Sequence, residues 1–197
     1  MELSPLAKER LARIGNLSPD ESRLLEQNKE LESLLSQYFT DIITSEDLWK
    51  RVKELKDQRD STIPAQAQVK LLNSLRLQMS DDDLKQRRIA ILALETIKNK
   101  QNYAEIEGHF NSIESIRKKY AQSKEQGYEQ LKSGMEAQLQ AAVQQASRQG
   151  VNVDIDRSLE ANVKNSQQWK TFMSQLENNA ETMFAELINK LKELIIG

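Results

Sequence analysis

The sequence predicts an all-α protein: a small N-terminal helical bundle continuing into a long antiparallel coiled-coil helical hairpin. Three observations carry that expectation. The 197 residues are rich in Lys, Glu, Gln, Leu and Ala, with six glycines and 5 % aromatic residues, a mixture that favours helices over sheets. All three prolines, Pro5, Pro19 and Pro64, fall in the first third, so nothing beyond Pro64 carries the strongest helix breaker. Finally, apolar residues recur at spacings of three and four, the period of a helix with one buried face.

Taken in order, Ser4-Pro5 starts a short helix that ends near Gly15. Ser18-Pro19-Asp20-Glu21 is a stronger start, with a Ser cap, Pro at the first helical position and Glu three residues after the cap. The helix that follows carries Leu24, Leu31, Leu35, Tyr38 and Ile42, with Leu25, Leu34 and Phe39 widening the stripe. Thr44-Ser45-Glu46-Asp47 caps a second helix, whose buried face is Leu48, Trp49, Val52 and Leu55. Residues 57–63 lack periodicity and read as a linker. Pro64 then opens a third helix carrying Leu71, Leu72, Leu75 and Met79.

Ser80 followed by Asp81, Asp82 and Asp83 places acids where a helix N-terminus favours them. From there to Gln149 the pattern reads as one unbroken helix of about 70 residues, roughly 100 Å long. Its start is aliphatic (Leu84, Ile89, Ile91, Leu92, Leu94, Ile97). Its middle spaces Ile106, Phe110, Ile113 and Tyr120, with Leu131 resuming the phase. Gly150 ends it, a loop near 150–155 follows, and Asp156 caps a last helix that runs to about Ile196.

Two long helices joined by a short loop fold back on one another. Facing residues then have numbers summing to about 305, within a few residues. Ala142 falls near Val163, Met135 near Trp169, Ile113 near Leu191 and Phe110 near Ile195. Gly134 falls beside Trp169 and Phe172, a missing side chain opposite large ones. The last helix covers Phe110 to Gln149, so the three N-terminal helices pack on Ser80 to Glu107. The expected domains are therefore 1–107, the bundle, and 108–197, the hairpin.

Charge excludes little: 28 basic and 30 acidic residues give a net charge of −2, with no global field to attract nucleic acid or an anionic membrane. The chain has no cysteine, which removes disulfides and thiolate chemistry and fits a reducing, cytoplasmic setting. No stretch is apolar enough to span a membrane, and Met1 to Ile14 lacks the apolar run of a signal peptide.

Each candidate for chemistry meets a plainer reading. Glu105 and His109 share a helix face, but a second Glu/His pair is missing. Asp154, Asp156 and Ser158 open like a calcium loop, yet Leu159 and Asn165 stand where glycine and glutamate are required. No phosphate loop, nucleophile elbow or triad occurs. Of two basic runs, Lys85-Gln86-Arg87-Arg88 and Arg117-Lys118-Lys119, the second is interleaved with Glu105, Glu107, Glu114 and Glu125. Met183 to Ile196 is apolar enough for a membrane surface, for core, or for a second copy of the chain. No catalytic, cofactor-binding or metal-binding residue is assigned.

The sequence thus leads to a non-enzymatic scaffold, adaptor or holdase-like chaperone. It acts through protein contacts and forms a homo-oligomer, with no cofactor, no nucleic acid and no transmembrane segment. The polar surface around Gln138 to Ser147 and Gln167 to Thr171 is its candidate tip. The alternative is an accessory protein for nucleic acid or a membrane surface, using residues 85–88, 117–119 or the C-terminal helix.

Overall fold

A computed structural model describes residues 18–147 and 155–197. Seven helices occur among them, with no strand: α1 (Pro19–Phe39), α2 (Ser45–Gln58), α3 (Ile63–Asn73), α4 (Asp81–Glu95), α5 (Tyr103–Ser147), α6 (Ile155–Asn165) and α7 (Gln167–Ile196). The fold is all-α. The expected helix over Ser4–Gly15 and the loop residues 150–154 lie outside the described residues. Taking the described residues, the chain divides into two compact units. One comprises the stretch through Leu71 together with Lys85–Gln101; the other comprises Leu72–Leu84 together with Asn102–Gly197. Residues 72–84, grouped by the sequence with the bundle, belong to the second unit.

The first unit is punctuated by local chemistry. Ser18 and Thr44 each form a complete capping box, with Glu21 and Asp47 returning the bond to the cap backbone. These boxes satisfy amides that a helix start leaves open. α1 ends in a paired closure: Ile42 N–H donates to Gln37 O and Asp41 N–H to Tyr38 O. That geometry needs a left-handed residue, and Asp41 takes it at φ 56°. The core gathers Leu31, Leu34, Leu35 and Tyr38 of α1, Leu48, Val52 and Leu55 of α2, Ile63, Ala67 and Leu71 of α3, and Ile91 and Leu94 of α4. The Tyr38 hydroxyl donates to Gln86 O over 2.9 Å, tying α1 to α4. Leu24, Leu25, Phe39, Ile42 and Ile89, expected inside, are exposed.

The single long helix expected from Ser80 to Gln149 is not found. It is interrupted between Glu95 and Tyr103, and neither Gly nor Pro marks the spot. The interruption is held by side chains from elsewhere. Trp49 Nε1 donates to Thr96 Oγ1 (3.2 Å), Lys56 Nζ donates to Ile97 O (2.7 Å), and Thr96 Oγ1 donates back to Ala93 O. Each such bond is worth about 0.5–1.5 kcal/mol net, no less than a helical bond it replaces. Ile97 is buried within the interruption.

Two other helices are shorter than expected. α3 stops at Asn73, so Leu75, Leu77 and Met79 lie in turns, with Leu75 and Leu77 still buried. The last helix is cut at Ser166, whose Oγ donates to Val163 O and accepts from Trp169 N–H. One hydroxyl thus closes α6 and opens α7. α6 starts at Ile155, one residue before the expected cap Asp156.

In the second unit α5 and α7 run antiparallel. Asn102 Nδ2 donates to Leu194 O, and Tyr120 OH to Glu177 Oε1; Tyr128 meets Trp169 edge-on at 5.7 Å. The seam buries Ile106, Phe110 and Ile113 of α5 and Phe184, Ile188, Leu191 and Ile195 of α7. The register differs from the expected one by about seven residues, one heptad. Phe172 lies on Gly127, where a Cβ would overlap its ring, while Gly134 has nothing within 4 Å. A large ring opposite a glycine was the right kind of match, made by the other glycine.

Candidate functional site

The residues singled out by chemistry do not converge. Glu105 is exposed and His109 half-buried. Among the described residues no group of three or more His, Asp or Glu side chains could hold a metal ion. Asp154 lies outside the described residues, so the calcium-like run is not placed as a whole. Asp81–Asp83 form the first turn of α4, capped by Ser80 Oγ, which accepts from Asp83 N–H. No helix among the described residues is long and apolar enough to cross a membrane.

The basic runs are largely occupied by the fold. Arg87 lies over the Phe39 ring at 5.2 Å, a cation–π contact. Arg117 is mostly buried and donates to Met79 O and, over 2.8 Å, to Asp81 Oδ1. Lys85, Lys118 and Lys119 stay exposed. Arg87 and Arg117 are thus engaged within the fold.

A buried polar cluster in the first unit went unnoticed in the sequence. Gln68 and Glu95 are both 0 % exposed. Gln68 Nε2 donates to Ile91 O (2.9 Å) and Glu95 Oε2 (2.8 Å), and Lys98 Nζ pairs with Glu95 over 3.1 Å. Gln68 Oε1 is buried without a partner. The signal was available: Gln68 sits on the apolar stripe of α3, beside Ala67 and ahead of Leu71. A buried charge held by hydrogen bonds fixes geometry at some cost in stability, and this one secures the C-terminus of α4.

The apolar C-terminal helix is covered on two sides by its own chain. Ile106, Phe110 and Ile113 of α5 face one side. On the other, Leu72, Leu75 and Leu77 line a cleft with Phe184 and Ile188. The surplus apolar face that suggested a second copy is therefore partly used by residues 72–77. The Tyr120 hydroxyl, beside Glu177 and accepting from Gln78 Nε2, is held above its ordinary 10.0 first by burial and then by the Glu177 charge.

What stays open is a groove of about 300 Å³ on the α5–α7 pair. Ile116 and Leu187 form its floor and Met183, 51 % exposed, its wall. Lys119 and Lys190 stand at its two ends and Glu186 beside its centre. Neither lysine has an ion-pair partner among the described residues. A flexible thioether over aliphatic carbon adapts to varied apolar partners. A second groove of about 410 Å³, lined by Leu131, Gly134, Met135, Gln138 and Ser166–Gln168, lies where α6 gives way to α7.

These features define an all-α protein. The chain belongs to a family of unknown function (DUF6657), whose model matches residues 49–195. No curated protein and no solved structure matches it. The matched span takes in the α2 side chains that hold the break at 96–102, both α5–α7 grooves and the Gln68–Glu95 cluster.

Proposed function

We propose that this chain is a non-enzymatic adaptor or scaffold that works through protein contacts in the cytoplasm. The α5–α7 groove is its docking surface. One observation carries the reading: an exposed methionine over an aliphatic floor, with an unpaired lysine at each end. The occupant that fits is an amphipathic helix presenting apolar anchors at helical spacing, with acidic residues flanking them. The terminal lysines steer such a partner and set its register more than its affinity. A second copy of the chain fits this groove less well, because a twofold arrangement about its centre sets Lys119 of one chain against Lys190 of the other.

The test is capture from native extract, compared with Met183→Glu and with Lys119→Glu/Lys190→Glu. A discrete partner retained by the parent, lost with Met183→Glu and weakened by the lysine reversals supports the reading. Equal capture by all three chains overturns it. Suppression of aggregation of many unfolded clients, insensitive to the lysine reversals, would make the protein a holdase instead. Salt-sensitive binding to duplex DNA or anionic vesicles would replace both readings with the accessory one.

A further inference from the structure

Two glycines of α5 line the α5–α7 pair, Gly127 buried and Gly134 exposed. Gly127 and Gly134 are seven residues apart, so they share one face of α5. Phe172 packs on the first, so closely that a Cβ on Gly127 would overlap its ring. A Cβ on Gly134 would meet nothing within 4 Å, and the residue lines the groove of about 410 Å³. Ser166–Gln168, one turn ahead of Phe172 on the same strand of chain, line that groove.

We propose that the vacant Gly134 notch is a second seat for Phe172, reached when α7 slides along α5 by one heptad, about 10 Å. Part of the apolar pattern fits the move. Trp169 passes from Tyr128 to Met135. Leu191 and Ile195 enter the positions now held by Phe184 and Ile188, and all four are buried apolar residues. The sequence alone selects this shifted register, since it pairs Met135 with Trp169 and Gly134 with Phe172. The observed register wins at the far end of the pair. There Asn102 Nδ2 donates to Leu194 O, and Ile106 is fully buried. Sliding α7 withdraws the cover from both, so the shifted register is the minor state. The slide also moves Met183 and Leu187 past Ile116 and so reshapes the docking groove. A partner in that groove and Phe172 in its notch therefore bias the same equilibrium.

The chain has no cysteine, so introduced thiols report register without background. Tyr128→Cys with Trp169→Cys marks the observed register, and Met135→Cys with Trp169→Cys marks the shifted one. Ala121→Cys with Trp169→Cys, one heptad from Tyr128 in the opposite direction, is the distance-matched control. With a short thiol–thiol crosslinker, the Met135 pair is expected to link several-fold faster than the control and slower than the Tyr128 pair. Gly134→Val, which fills the vacant notch, should bring the Met135 pair down to the control rate and leave the Tyr128 pair unchanged. Gly127→Ala, which evicts Phe172, should speed the Met135 pair. A Met135 pair no faster than the control, or one indifferent to Gly134→Val, overturns the proposal. The Gly134 variant adds atoms only to open space, so its result does not depend on how well the Gly127 variant folds.

Discussion

The two units are held by different means. The first is a set of helices, three of whose ends are fixed by local residues: a Ser18 box, a Thr44 box and a left-handed Asp41. The second is a long helix pair whose placement depends on what each side chain meets across the seam. Phe172 needs Gly127, Trp169 needs Tyr128 and Asn102 needs Leu194. Local chemistry decides where α1 ends and α2 begins, whereas contacts between elements decide where α4 stops and where α7 lies on α5, and a sequence exposes the first far more readily than the second.

The contrast breaks most visibly at Phe110, which is fully buried. Phe110→Ala should cost about 3–5 kcal/mol in urea unfolding; a loss under 1 kcal/mol would mean that the seam does not hold the second unit. The glycines come next, with opposite signs. Gly127→Ala forces the Phe172 ring aside and should destabilise by about 1–2 kcal/mol, overpacking outweighing the gain in helix propensity. Gly134→Ala meets open space and should stabilise by about 0.5–1 kcal/mol. Equal signs for the two would remove the register described above.

In the first unit, Thr44→Ala should cost about 1 kcal/mol through the lost cap, read from thermal unfolding. Asp41→Gly should stabilise by about 0.5–1 kcal/mol, since glycine adopts a left-handed conformation without the strain that other residues carry. The smallest effect is acid sensitivity. Ser18 backbone N–H holds Glu21 below its ordinary 4.5, and the Thr44 hydroxyl holds Asp47 below its ordinary 3.8. The folded state therefore binds fewer protons than the unfolded one in this range. The contribution of the boxes is full above those ordinary values and is lost as the pH falls through the lowered ones. Glu21→Gln with Asp47→Asn should flatten the acid limb of a stability profile below about pH 5; an unchanged limb would show that the boxes are indifferent to charge.

The legibility of the sequence follows the same division. Ser18-Pro19-Asp20-Glu21 and Thr44 to Asp47 announce their helices, and the stripes Ile106–Phe110–Ile113 and Leu191–Ile195 announce the buried seam. The break after Glu95 was hidden, because Thr96, Ile97 and Asn99 are acceptable in a helix. The contacts that hold it open come from Trp49 and Lys56, more than 40 residues away. Ser166 was hidden too, since a serine inside an apolar pattern is as easily a surface residue as a cap. The register failed by one heptad because periodicity is blind to shifts by its own period. Of the surface that the proposed function uses, Met183 and the basic run at Lys119 could be seen beforehand. Their meeting at one groove could not, because it depends on that register.

The spacing of the seam contacts also bears on how the second unit forms. Asn102 and Leu194 are 92 residues apart, Tyr120 and Glu177 only 57, and Tyr128 and Trp169 closer still. Closing a loop costs more entropy the longer it is, so the Tyr128–Trp169–Phe172 aromatic cluster can assemble while the far end remains apart. The pair then closes like a zipper from the cluster outward, with Leu194 docking last. In that order of assembly, the choice between Gly127 and Gly134 is made at the first contact and ratified only at the last.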